Sequence, residues 1–195
     1  MITTISQSGS ESKGFIDAHQ AQEEIERLNR ALAINPWEDA IWNSRGTALA
    51  KIGKYEDAIA SYDQALKINP GFNVAWYNKG KALDDLGRHE EAIVSFDRAI
   101  AINSKDYQAW FNRGIALGNL GRYEEAIASY NRVLAINPNN DAAWYNKACC
   151  FGLQGQINLA VENLKRAIDY RLIFGIKLSK TRTLTAFVWI KSFML

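Results

Sequence analysis

Four tryptophans, Trp42, Trp76, Trp110 and Trp144, stand 34 residues apart, and Gly53, Gly87, Gly121 and Gly155 keep the same step. Gly46, Gly80 and Gly114 follow it too, with Ala148 in the fourth copy. Pro36, Pro70 and Pro138 hold one phase, and Ser104 fills the vacancy in that series. A fixed period of this length means a stack of small units, each too small to bury its own apolar face. Cut at these landmarks, the chain gives units at 39–72, 73–106, 107–140 and 141–174, the last with a degenerate end. An incomplete unit at 17–38 precedes them.

Within a unit the apolar residues fall at steps of three and four in two blocks. Trp76, Gly80, Leu83 and Leu86 form the first, and Ala92, Ile93, Phe96, Ala99 and Ile100 the second. That spacing lines one face of a helix. Gly87 divides the blocks and is free to take the left-handed conformation that ends a helix. Ile-Asn-Pro stops the second block in three units, because the residue before proline is driven from helical geometry. Each unit therefore reads as helix, tight turn, helix. The incomplete unit carries Ala18, Ala21, Ile25, Leu28 and Leu32 at helical spacing behind Asp17, and reads as a second helix capping the stack.

The pattern Trp42, Gly46, Ala58, Tyr62, Ala65, Pro70, repeated four times over about residues 39–170, resembles the tetratricopeptide repeat. The resemblance implies an all-α fold: a right-handed superhelical solenoid of antiparallel helix pairs, here four units plus an N-terminal capping helix. One departure recurs. Arg45, Lys79, Arg113 and Lys147 replace the usual leucine before the first-helix glycine, giving a W-[YF]-N-[KR]-G form similar to a subtype of bacterial arrays. Their stems are expected to pack and their charged heads to reach a partner or water.

Composition separates two further pieces. Residues 1–16 have no basic start and no apolar core, so they read as a disordered lead-in without an export signal. The 195 residues carry 23 Lys and Arg against 21 Asp and Glu, a formal +2. After Asp169 no acid occurs, while Arg171, Lys177, Lys180, Arg182 and Lys191 follow; without those five cations, 18 stand against 21 and residues 1–169 carry −3. The atypical basic, apolar tail at 175–195 has three readings: an improvised cap, an altered reading frame that truncated a longer array, or a weak anchor. No run reaches the roughly 18 apolar residues of a membrane span. Two adjacent cysteines, Cys149 and Cys150, build no disulfide framework, so the compartment is expected to be reducing and the location cytoplasmic.

Residues that obey the period are explained by packing or helix solubility, since no reaction needs its groups copied every 34 residues. The pairs Glu56-Asp57, Glu90-Glu91 and Glu124-Glu125 recur at the start of each second helix, where negative charge complements the helix dipole. His89 takes the place of Tyr55 and Tyr123, and His19 lies remote from it. Cys150 takes the place of Ala48, Ala82 and Ala116 and reads as a small core hydrophobe, whereas Cys149 breaks the pattern. The expectation is no enzyme, no catalytic residue, no metal and no cofactor.

Binding is the remaining class. The family resemblance implies that first helices line a concave groove for an extended peptide or partner surface. Tyr77-Asn78, Phe111-Asn112 and Tyr145-Asn146 repeat there, with asparagine amides able to bond a backbone and aromatics supplying apolar area. The competing reading is that these asparagines brace neighbouring helices. Discrimination is expected from positions that differ between units: Thr47, Lys81, Ile115 and Cys149 in one row, Lys51, Asp85, Asn119 and Leu153 in another. The candidate groove residues are thus Tyr77, Asn78, Lys81, Asp85, Phe111, Asn112, Ile115, Asn119, Tyr145 and Asn146. The family's carboxylate clamp for chaperone C-termini fails here, because only Asn78 matches while Asn43, Thr47, Gln108 and Asn112 stand at the flanking places. A protein or peptide partner is expected, with no nucleic acid and no membrane. The alternative function is the repeat portion, or a truncated remnant, of a larger multidomain protein whose catalytic or signalling domain lies outside this chain.

Overall fold

A computed structural model describes residues 5–173, with side chains for 18–169. The described residues form nine helices and no strand: α1 Ile5–Ile34, α2 Asp39–Lys51, α3 Tyr55–Ile68, α4 Asn73–Asp85, α5 His89–Ile102, α6 Tyr107–Asn119, α7 Tyr123–Ile136, α8 Asp141–Leu153 and α9 Ile157–Ile173. Helices α2 to α9 are the pairs that the 34-residue period implies. They fall in two compact units, Met1–Asn103 with α1 to α5 and Ser104–Leu195 with α6 to α9.

Within each unit every helix packs on the next in sequence, and the first helices of successive repeats touch, α2 on α4 and α6 on α8. The fold is an all-α array of tetratricopeptide-type helix pairs. Helix α1 starts at Ile5, within the segment that the sequence reading assigns to a lead-in. No proline lies in residues 5–17 to interrupt the ladder. Residues 1–4 and the tail 175–195, with its three readings, lie outside the described residues.

Turns and packing use glycine in two ways. Gly53, Gly87, Gly121 and Gly155 have φ between 72° and 76°, the left-handed geometry that closes the first helix of each pair. Gly46, Gly80 and Gly114 are helical, and a Cβ there would stand 2.5 to 2.6 Å from the rings of Tyr62, Phe96 and Tyr130. Those rings, exposed by 2% or less, fill the space that the missing side chain leaves. In the fourth pair Ala148 faces the same register as Leu164, so hole and knob change together.

The tryptophans tie one repeat to the next. Trp42 and Trp76 Nε1 donate to the carbonyls of Pro36 and Pro70, each at 2.9 Å. Trp110 and Trp144 donate likewise to Ser104 at 3.1 Å and Pro138 at 3.0 Å. Ser104 keeps the bond because the acceptor is a backbone carbonyl, which every residue supplies. Between α3 and α4, Ala65, Leu66 and Ala75 form a buried cluster packed by Trp42, Phe72 and Trp76.

Candidate partner-binding surface

The repeated cations turn inward. Arg45 donates to Ser61 Oγ at 2.6 Å and to Asn29 Oδ1 at 2.7 Å, and its guanidinium lies 5.8 Å from the Trp42 ring centroid. Arg113 reaches Ser129 Oγ at 2.8 Å and Trp110 at 5.8 Å. Lys79 pairs with Asp63 at 2.5 Å and sits 5.5 Å from the Trp76 centroid. For Arg45, Lys79 and Arg113 the expectation that these heads reach a partner or water is therefore corrected. Each buried serine, at 2% exposure or less, already spends its hydroxyl proton on the carbonyl four residues back. The oxygen is left as an acceptor, which Arg45 satisfies at Ser61 and Arg113 at Ser129. The signal was present in the sequence, because Ser61, Ser95 and Ser129 keep the 34-residue step.

The candidate groove residues sort into those used inside the fold and those left outside. In the first unit, Tyr77 packs on Phe96 with centroids 6.1 Å apart, and Asn78 Nδ2 donates to Asn43 Oδ1 of α2 at 3.0 Å. At Asn78, bracing is what the amide does. Lys81 and Asp85 on the same helix are exposed. In the second unit, Phe111 packs on Tyr130 at 5.9 Å and Asn112 Nδ2 donates to the Gln108 carbonyl at 3.0 Å. Ile115, Tyr145 and Asn146 are half-buried, Asn119 is exposed, and Leu153 is 57% exposed. The varying rows are thus polar in the first unit, with Thr47, Lys51, Lys81 and Asp85. They turn mostly apolar in the second, with Ile115, Cys149 and Leu153 beside the polar Asn119.

The titratable groups are held in pairs. Arg88 and Arg122, each following the turn glycine, bond Glu91 at 2.6 Å and Glu125 at 2.7 Å through both carboxylate oxygens. These arginines hold both carboxyls below the usual carboxylate range. His89 Nδ1 lies 2.6 Å from Asp84 Oδ1 across the α4–α5 turn. Burial raises the Cys149 thiol, and burial with the neighbouring Cys149 pushes Cys150 up to about 11. Such thiols are poor nucleophiles at neutral pH. A cleft of about 410 Å³ opens between α1 and α2, lined by Gln20, Ala21, Glu24, Ala48 and Lys51. Among the described residues, no cluster of three or more His, Cys, Asp or Glu side chains could hold a metal ion, and no helix is long and apolar enough to cross a membrane.

Tetratricopeptide repeat family models match residues 19–73, 43–107, 107–140 and 129–162, together most of the chain. The chain belongs to the tetratricopeptide repeat family. A crystal structure of MamA is similar over 78% of this chain and 90% of its own, with a TM-score of 0.76 at 23% identity. MamA 41-end from Desulfovibrio magneticus RS-1 covers 82% of this chain and 95% of its own, with a TM-score of 0.71 at 18% identity. The Arabidopsis OM64 TPR domain covers 57% of this chain and 93% of its own, with a TM-score of 0.56 at 26% identity. At such identities the likeness is one of fold. No curated protein matches the chain. Tetratricopeptide repeats are protein-interaction scaffolds, and this tetratricopeptide protein is one.

Proposed function

We propose that the chain is a non-catalytic cytoplasmic scaffold whose first helices bind a peptide segment or a partner surface. The observation that carries this reading is the division of labour along α4, α6 and α8. Residues on the 34-residue grid are tied into the fold, while Lys81, Asp85 and Leu153 vary from unit to unit and stand in solvent. Exposed side chains that break a structural repeat are the ones through which a scaffold tells partners apart. Ile115 and Asn146, half-buried on α6 and α8, add apolar area and an amide. The W-[YF]-N-[KR]-G form is consistent with a bacterial array.

Asn78→Ala removes the brace to Asn43 as well as a contact for ligand, so it does not isolate binding. Lys81→Ala with Asp85→Ala, and Leu153→Ser with Asn146→Ala, remove exposed or half-buried groups with little cost to the fold. Affinity capture with each pair is expected to lose partners held by the wild type. Retention of every partner by both pairs contradicts the reading. An Asp-terminated chaperone peptide is expected to show no micromolar binding in calorimetry, because the flanking Lys and Arg of a clamp are missing.

A further inference from the structure

One junction between repeats has lost its counterion. Position 63 is Asp, and it accepts from Lys79 sixteen residues on. The same place in the next repeat is Asp97, and in the third it is the neutral Asn131, followed by Arg132. Lys147 stands sixteen residues after Asn131, in the register of Lys79 to Asp63. Its ammonium lies 5.1 Å from the Trp144 centroid and 5.8 Å from that of Phe151, with no hydrogen bond or ion pair among the described residues. Arg166 covers the same indole at 4.9 Å, and exposed Arg132 lies 5.5 Å from the Trp110 centroid. Among the described residues a single carboxylate, Glu162 at 3.1 Å from Arg166, pairs with any of the three. Lys147 and Arg166 meet over one indole and repel each other, with Glu162 the one acid that acts on both. An incoming anion relieves that repulsion.

We propose that this tryptophan-lined side of the second unit, carrying Arg132, Lys147 and Arg166, binds an acidic, extended peptide segment. The cations are distributed over two repeats, Arg132 at Trp110 and the other two at Trp144, so they suit successive carboxylates along a chain rather than one small ion. Nucleic acid is disfavoured because both indoles carry cations over their rings, which hinders base stacking. None of the three cations is among the varying groove positions Lys81, Asp85, Ile115, Asn119 and Leu153.

The probe is a fluorescent ten-residue glutamate peptide, titrated by anisotropy against the full chain at low and high salt. Asn131→Asp puts back the carboxylate that Asp63 supplies to Lys79, so its fold is retained. It is expected to weaken binding about fivefold. Arg132→Ala with Lys147→Gln, checked for unchanged helicity, is expected to weaken it more, and Lys81→Ala with Asp85→Ala to leave it unchanged. Binding should fall with salt. Equal affinity in wild type and Asn131→Asp, or tighter binding of a single-stranded oligothymidylate of equal charge, overturns the proposal.

Discussion

Two glycines seven residues apart, Gly80 and Gly87, meet opposite demands. A Cβ at Gly87 meets nothing within 4 Å, yet its φ of 75° is costly for any L side chain. At Gly80 the backbone is helical and the Phe96 ring is 2.6 Å from where a Cβ would sit. Gly87→Ala is expected to cost about 1 kcal/mol, and Gly80→Ala about 1 to 3 kcal/mol from overpacking. The fourth repeat shows the remedy, Ala148 with Leu164. Gly80→Ala combined with Phe96→Leu should therefore cost less than the sum of the single changes in urea unfolding, a coupling that additive costs would contradict. The period placed both glycines, but only the φ values and ring distances separate their roles. Cys150, with its thiol at about 11, is expected to resist iodoacetamide at pH 7.5 while the chain is folded. Because the folded thiol keeps its proton where the unfolded one loses it, stability falls as pH rises from about 9 towards about 11. Rapid labelling of Cys150 in the folded state would contradict this assignment.

At the scale of the helix, each pair is joined at its ends and packed along its length. Trp110 packs at the head of α6, reaches back to the Ser104 carbonyl, and carries Arg113 and Arg132 over its ring. Trp110→Ala removes all of these at once, and a loss of about 3 kcal/mol is expected from the urea midpoint. An unchanged midpoint would sink the packing account. The helix starts respond to acid. Glu91 and Glu125 titrate below the ordinary carboxylate range because Arg88 and Arg122 hold them. Their contribution is present above that range and fades as pH falls through the lowered values. Both carboxylates are exposed, so salt should mute the effect. A thermal melt in Glu91→Gln with Glu125→Gln should lose less stability between pH 5 and pH 3 than the wild type. Helix boundaries were legible from Gly87 and from Asn-Pro. The inward turn of Arg45 and Arg113 was legible only in part: Ser61 and Ser129 keep the 34-residue step, but spacing alone does not show that a cation sixteen residues away bonds them rather than water.

For the molecule as a whole, the sequence divides into a grid and its exceptions. Trp42 and Gly53 recur in all four repeats because stacking demands the same joint each time. Lys81, Asp85, Ile115 and Leu153 do not recur, and three of them, Lys81, Asp85 and Leu153, stand exposed. The aromatic-Asn ladder lay between these classes, and the structure divides it: Tyr77, Asn78 and Phe111 contribute to packing, while Asn146 makes no side-chain hydrogen bond among the described residues. On the proposed reading, what the first helices select follows from these exceptions, which is why the family was plain from spacing and the ligand was not. The central claim is that recognition by the first-helix groove resides off the grid. It is tested most directly by capturing partners with the wild type and with a chain carrying Lys81→Ala, Asp85→Ala and Leu153→Ser, while recording the melting temperature of each. Loss of partners at an unchanged melting temperature is the predicted result. Full retention of the partners by that variant would contradict the account.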